Sequence, residues 1–165
     1  VGGVSVAAEV GGEVRVGVVE VPVLGETYLA VSGSGATRNG SAVHASSCTQ
    51  VDQALVATGF GYRASRRRHQ AEVVAQVLPV VRDIRRYGAA SVDLCSVACG
   101  RVDAYFERGL QPWDLAAGSL VAREAGAVVG GLHGAPASEE LAVAAAPGLF
   151  EALHGLLAPL GADRD

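Results

Sequence analysis

Short runs of β-branched residues alternate with stretches of helical periodicity along most of the chain, and this alternation limits the folds open to it. Valine, isoleucine, threonine and tyrosine favour strands, whereas apolar residues spaced three and four apart favour helices. Strands are predicted at residues 4–10, 14–21, 26–32, 54–59, 83–87, 101–106, 127–130 and 141–145, and helices at residues 65–82, 92–99, 114–125 and 148–157. This order predicts an α/β fold built in layers.

The composition indicates one folded domain over residues 1–165. Half of the 165 residues are hydrophobic, which is enough for a sizeable core. The net charge of −4 gives no general reason to expect nucleic-acid or membrane binding. No apolar run is long enough to span a bilayer and no signal peptide is evident, so a cytoplasmic location is expected. Cys48, Cys95 and Cys99 suggest no disulfide framework, and reduced thiols are expected.

Two segments could suggest anion binding. Residues 33–40 are glycine-rich, but they lack the Lys-Ser/Thr ending of a P-loop, and no helical pattern follows at once. Asn39-Gly40 is typical of a tight turn, so a turn is predicted here. The triplet Arg66-Arg67-Arg68 opens the first predicted helix. It is either a solvated helix start or an anion-binding patch, and its charge opposes the helix dipole.

Residues 107–126 carry the strongest chemical signal. They read ERGLQPWDLAAGSLVAREAG, with Asp114 where a helix begins and Glu107 seven residues earlier, at the end of a predicted strand. The commonest reason for aspartate at a helix start is N-capping, and Glu107 could be an exposed strand-end carboxylate. Two carboxylates brought together across one short turn could instead meet a hard cation and a polyol at the same point.

The WDxAAG core, the glutamate seven residues before its aspartate and the upstream block RRYGAASVDLCSVACGRVDAYFE closely resemble the inositol monophosphatase family in order and spacing. The resemblance runs through nearly the whole chain. It implies the C-terminal part of that family's α+β sandwich, in which helix and sheet layers alternate. It also implies a magnesium-dependent phosphatase of a small phosphorylated polyol, above all myo-inositol 1-phosphate, and a homodimer.

The resemblance implies roles for the matching residues. Asp114 matches a magnesium ligand at the catalytic centre that also contacts the substrate. Glu107 matches a glutamate that accepts hydrogen bonds from substrate hydroxyls, which suits a carboxylate because it can only accept. Gly88, Ala89 and Ala90 match a small-residue wall against the inositol ring. The same three residues could equally form a strand-to-helix turn in which small side chains allow close packing.

Two neighbouring arginines, Arg85 and Arg86, precede this turn. They could steer a phosphate group toward the site, or they could pair with surface acids such as Asp83.

The family's other acidic ligands come from an earlier motif of the kind D-P-x-D-G-T and from a glutamate before it, and these 165 residues contain neither. Three interpretations are open: a fragment or truncated gene product, the resolved portion of a longer protein, or a short paralogue without catalysis. The first two are favoured because the matching site residues are all retained. Magnesium needs several oxygens in octahedral order. The 165 residues alone are therefore expected to bind magnesium weakly and to turn over little substrate.

Alternative functions stay open. Related phosphatases act on histidinol phosphate, fructose 1,6-bisphosphate or a nucleotide 3′-phosphate, and Glu107 argues against these. A non-catalytic binding or regulatory protein could use the same scaffold; the missing motif favours this, whereas the retained Glu107 and Asp114 oppose it. A Ser-His-Asp hydrolase is poorly supported because no G-x-S-x-G elbow occurs, and a dinucleotide-binding fingerprint is absent.

Overall fold

Ten strands and four α-helices make up the fold in a computed structural model that describes all 165 residues. The strands are β1 (Val4–Val10), β2 (Glu13–Val21), β3 (Glu26–Val31), β4 (Ala36–Arg38), β5 (Ser41–Ala42), β6 (Leu55–Thr58), β7 (Asp83–Arg85), β8 (Ala104–Glu107), β9 (Val128–Gly130) and β10 (Ala142–Ala145). The helices are α1 (Ala64–Val77), α2 (Ala90–Ala98), α3 (Pro112–Glu124) and α4 (Phe150–Leu157). None of the helices is long and apolar enough to cross a membrane.

The strands form two five-stranded sheets. The first has the order β1-β2-β3-β4-β5, and all neighbouring strands are antiparallel. The second has the order β7-β6-β8-β10-β9, and β6 runs parallel to both β7 and β8. Helices α2 and α3 pack between the sheets, and α1 and α4 cover the far face of the second sheet. The prediction of an α+β sandwich with alternating helix and sheet layers is confirmed.

The second sheet is buried on both faces because successive side chains along a strand point to opposite sides. On β8, Tyr105 faces α2 and α3, whereas Phe106 faces α1 and α4. On β10, Ala144 packs in the core on the side of α2 and α3, and Val143 packs in the core on the side of α1 and α4. The central strands are therefore held from both sides, and their carboxyl ends give a fixed platform for the loops that follow.

The first sheet has one covered face and one open face. On the covered face, Gly17 of β2 lies against α3, where an added Cβ would stand only 2.9 Å from the Cα and carbonyl oxygen of Ala117. The glycine thus permits a close approach of strand and helix. The outer face of the first sheet carries exposed apolar side chains. Among them are Val4, Val6, Leu29 and Val31.

The predicted turns are confirmed in the first sheet. The turn joining β1 and β2 passes through Gly11 and Gly12, both at positive φ. Asn39 and Gly40 also have positive φ, 49° and 81°, as a tight hairpin turn requires. One difference is that β4 (Ala36–Arg38) forms inside the segment predicted as a turn, because Thr37 pairs with Leu29 of β3.

Several predicted boundaries were wrong. Helix α1 ends at Val77 rather than at residue 82, because Pro79 has no N–H to donate to the carbonyl four residues earlier. Helix α4 begins at Phe150 rather than at residue 148, and α2 begins at Ala90 rather than at residue 92. Helix α3 begins at Pro112, so Asp114 is its third residue and not its first.

Candidate functional site

A cleft of about 510 Å³ opens at the carboxyl ends of the parallel strands β6 and β8. The chain leaves β6 through α1 on one face of the second sheet and reaches β8 through β7 and α2 on the other face. The loop after β6 leads to α1 on one face and the loop after β8 leads to α3 on the other, so the two loops diverge. Such a switch point is where open α/β sheets bind ligands. The sheet topology alone therefore predicts a binding crevice here.

All five predicted site residues line this cleft: Gly88, Ala89, Ala90, Glu107 and Asp114. The first three lie where the chain enters α2 after β7, and Gly88 has a φ of 92°, which a residue with a Cβ rarely adopts. Glu107 ends β8 and Asp114 lies in the first turn of α3. The structure brings the five residues together, and their individual roles stay predictions.

Glu107 is held in place by its own strand. The hydroxyl of Tyr105, two residues earlier, donates a hydrogen bond of 2.6 Å to Oε2 of Glu107. No group of the protein donates to Oε1. Burial raises the pKa of Glu107, and the hydrogen bond from Tyr105 together with the charge of Arg86 opposes that rise. The carboxylate thus offers one free acceptor oxygen to the cleft.

The loop after β6 makes room for this carboxylate. Gly59 directly follows β6, and a Cβ at this position would overlap the carboxylate of Glu107. A side chain at position 59 would force the Glu107 carboxylate to turn or the strands to separate, so the glycine lets Glu107 keep this orientation. No local sequence signal marks Gly59 as part of the site.

Asp114 caps its own helix from within. Its Oδ2 accepts a hydrogen bond of 2.9 Å from the backbone N–H of Gln111, which is the N-cap residue of α3. Pro112 takes the first helical position, which suits its fixed φ and its missing N–H. The expected N-cap position of Asp114 is therefore corrected to the third helical position. Capping through Oδ2 and a place on the cleft wall are compatible.

A third acid, Asp93, lies fully buried on α2, close enough to Glu107 for the two charges to interact. Neither of its carboxylate oxygens has a hydrogen-bond partner. Burial raises its pKa to about 8, and the charge of Glu107 adds to the rise. The sequence signal for this residue is a single acid in an otherwise uncharged, largely apolar helix.

Arginines give the cleft its positive charge. Arg86 lines it, as expected of a residue that steers a phosphate. Arg85 does not line it and pairs with the surface acid Asp83 at 2.6 Å, which was the other expectation. Arg66 of the triplet and Arg108 also line the cleft, as does Trp113, which is 70% exposed. The triplet is therefore not simply a solvated helix start. Arg108 and Trp113 lie in the segment of residues 107–126 that resembles the family, but its sequence pattern does not predict that they line the cleft.

The donor set fits magnesium only in part. Asp114 keeps one oxygen free of protein hydrogen bonds, so it could serve as one ligand. No group of three or more histidine, cysteine, aspartate or glutamate side chains is placed to hold a metal ion together. Magnesium prefers near-octahedral oxygen coordination. These 165 residues alone therefore do not form a complete magnesium site.

Known proteins resemble this chain in sequence and in architecture. The model of the inositol monophosphatase family matches residues 2–161. Inositol-1-monophosphatase of Mycobacterium leprae is 48% identical over 160 residues, which cover 93% of this chain and 55% of the relative. Nus factor SuhB of Escherichia coli (strain K12) is 40% identical over 132 residues, which cover 79% of this chain and 49% of the relative.

A solved structure shows the same fold. Mycobacterium tuberculosis SuhB superposes with a TM-score of 0.88 at 42% identity, covering 98% of this chain and 65% of that chain. The chain spans about half the length of the curated relatives it matches.

Proposed function

The chain belongs to the inositol monophosphatase family, and on this basis we propose that it supplies the polyol-binding side of a magnesium-dependent phosphatase. The substrate is a small phosphorylated polyol, myo-inositol 1-phosphate, which is hydrolysed to inositol and phosphate. The observation that carries this proposal is the placement of Glu107 and Asp114 in one cleft beside the small residues Gly88, Ala89 and Ala90.

Glu107 binds the polyol in this proposal. An ionised carboxylate accepts hydrogen bonds and donates none, so it suits two neighbouring hydroxyl groups on a ring. Tyr105 fixes Oε2 from below, which leaves Oε1 directed to a ligand hydroxyl. The orientation is set before the ligand arrives, and this reduces the entropic cost of binding.

The small-residue turn between β7 and α2 forms the opposite wall. Gly88, Ala89 and Ala90 leave space for a ring to approach the backbone, and Ala90 is the first residue of α2. Arg86 adds a positive charge on the same side of the cleft. This combination favours an anionic ester with a compact, hydroxylated body.

Asp114 provides one oxygen for the metal. Bound magnesium would polarise the phosphate ester and lower the pKa of an attacking water. Because these residues contain no group of three side chains placed to hold a metal ion, the 165-residue chain alone should bind magnesium weakly and turn over little substrate. Polyol binding at Glu107 does not require bound magnesium.

The test separates polyol binding from turnover. Inositol binding is measured by NMR titration, and hydrolysis of inositol 1-phosphate is measured with saturating magnesium. Glu107→Gln should weaken inositol binding by roughly tenfold or more, since a buried charged acceptor is lost. Glu140→Gln, at an exposed position, is the matched control. Equal inositol affinity in both variants would refute the role of Glu107.

A substrate panel tests the choice of polyol. Inositol 1-phosphate is compared with histidinol phosphate, fructose 1,6-bisphosphate and a nucleoside 3′-phosphate. Asp114→Asn should lower turnover of whichever substrate is preferred and should weaken the response to magnesium. Preference for one of the other three substrates would replace inositol 1-phosphate in the proposal.

A second candidate function is a non-catalytic regulatory or binding role on the same scaffold. The absence of a three-ligand group favours it, and the relative from Escherichia coli carries the name Nus factor SuhB. Intact mass spectrometry of the native protein, combined with a turnover assay, distinguishes the two functions. A mass of 16.7 kDa without turnover favours the binding role, whereas a larger mass with magnesium-dependent turnover favours the enzyme.

A further inference from the structure

Two arginines that line the cleft are paired with a carboxylate of the protein itself. Arg66 donates from Nε and Nη2 to the two carboxylate oxygens of Asp165, at 2.8 Å and 3.2 Å. Arg108 donates from Nε to Oδ1 of the same aspartate at 3.0 Å. We call Arg66 and Arg108 together the arginine clamp.

The arginine clamp is built into the fold and is not a chance surface pair. The Arg66 and Arg108 side chains are only 16% and 15% exposed. A Cβ on Gly61 would stand 2.7 Å from Cδ of Arg66, and a Cβ on Gly109 would overlap its guanidinium, so both glycines make room for this side chain. Arg108 is fixed further by a 3.0 Å hydrogen bond to the carbonyl oxygen of Glu140.

The clamp and the polyol site share one wall of the cleft. Arg108 directly follows Glu107 in the chain, and Arg66 and Arg108 both line the cleft with Glu107 and Asp114. The planar guanidinium group matches a carboxylate or a phosphate through paired N–H donors. Asp165 is 44% exposed and takes its contacts from these two arginines, so a competing anion can reach its place.

We propose that the arginine clamp is a second anion subsite of the cleft, which binds a phosphate group, and that Asp165 occupies it in the free protein. A ligand with one phosphate at the catalytic end leaves Asp165 in place, whereas a polyol bisphosphate displaces it. The identity of the polyol rests on the proposed function. Binding of phosphate to the clamp needs no hydrolysis and is tested without it.

The test is calorimetric titration with inorganic phosphate, fructose 6-phosphate and fructose 1,6-bisphosphate, in EDTA so that no turnover occurs. Asp165→Asn removes the competing charge and should tighten phosphate binding by roughly fivefold. Asp83→Asn is the matched control, because it makes the same charge change beside Arg85, which does not line the cleft. This control should bind phosphate as the unaltered protein does.

A double variant shows whether the clamp carries the gain. Adding Arg66→Gln to Asp165→Asn should abolish the tighter binding, and Arg108→Gln replaces it if Arg66→Gln impairs folding as judged by circular dichroism. A gain for the bisphosphate alone identifies a second phosphate of the ligand. A gain shared by all three probes identifies free phosphate as sufficient. No gain beyond that of Asp83→Asn, or a gain that survives loss of the arginine, overturns the proposal.

Discussion

The hydroxyl of Tyr105 donates a 2.6 Å hydrogen bond to Oε2 of Glu107, two residues further along β8. Residues two apart on a strand point to the same face, so the sequence spacing itself brings the phenol to the carboxylate. Tyr105 is fully buried, and a hydrogen bond to a charged acceptor is strong in such surroundings. The candidate polyol acceptor is therefore oriented by its own strand.

Tyr105→Phe should raise the pKa of Glu107. Burial raises this pKa already, and the hydrogen bond from Tyr105 is the largest opposing influence. Without it, Glu107 becomes neutral at higher pH, so polyol binding should fail at a higher pH as the solution is acidified. Carboxyl NMR titration measures the pKa, and unfolding should cost about 1–2 kcal/mol less.

Tyr28→Phe is the matched control for this experiment. Tyr28 is equally buried, and its hydroxyl donates to Glu26 at 2.9 Å, outside the cleft. This variant should leave the Glu107 pKa unchanged. A Glu107 pKa that responds alike to both variants would contradict a specific role of Tyr105.

Gly59→Ala should displace the Glu107 carboxylate. The new methyl group would overlap the carboxylate oxygens, and the carboxylate has to turn or the two strands have to separate. We expect inositol binding to weaken by about tenfold or more while the fold persists, with a stability loss of about 1–3 kcal/mol. Gly2→Ala, which meets nothing within 4 Å, is the control in the same titration. Unchanged inositol affinity in Gly59→Ala would show that the overlap is relieved without moving Glu107.

Asp93 should make the protein less stable as pH rises. Its folded-state pKa is about 8, whereas an unfolded aspartate titrates near about 3.9. Between these values the folded state holds a proton that the unfolded state has lost, so stability is fullest below about pH 4 and falls until pH passes about 8. Urea unfolding at several pH values measures this slope.

Asp93→Asn should flatten that profile, because the amide does not titrate and has a similar shape. Asp52→Asn, at an exposed position, should leave the profile as it is. Parallel profiles for the unaltered protein and Asp93→Asn would show that the buried carboxyl does not titrate as described.

Gly17→Ala should separate the first sheet from α3. The added Cβ meets backbone atoms of Ala117 at 2.9 Å, and backbone cannot move aside as a flexible side chain can. We expect a loss of about 1–3 kcal/mol in the free energy of unfolding. Gly155→Ala in α4 meets nothing within 4 Å and should instead stabilise by up to about 1 kcal/mol. Denaturant unfolding measures the free energy of unfolding of both variants. Equal changes in the two would contradict a close contact between Gly17 and α3.

The sequence predicted the parts of the site that depend on short-range patterns. Glu107 and Asp114 are separated by one turn, and the strand, the turn and the helix around them have clear local signals. Pro79 is a local signal of the same kind, but the predicted helix ran past it to residue 82, whereas α1 ends at Val77. These features depend on a few neighbouring residues, so one sequence suffices for them.

The rest of the site depends on contacts between distant segments. The overlap of Gly59 with Glu107 exists only because β6 and β8 pair in parallel, and Arg66 meets Asp165 across 99 positions. The burial of Asp93 requires α2 to be covered from both sides by sheets. Hydrophobic periodicity specifies faces of elements but not which elements become neighbours, so these relationships emerge only with the fold.

The outer face of the first sheet affects how solutions of this chain behave. β1 is an edge strand of seven residues whose free side has no partner strand, and Val4, Val6 and Val10 on it are exposed. Long apolar edges of this kind template the addition of further strands. Turbidity should therefore depend on protein concentration well below the melting temperature, and aggregation of a stored sample should be governed by its concentration and not by thermal unfolding.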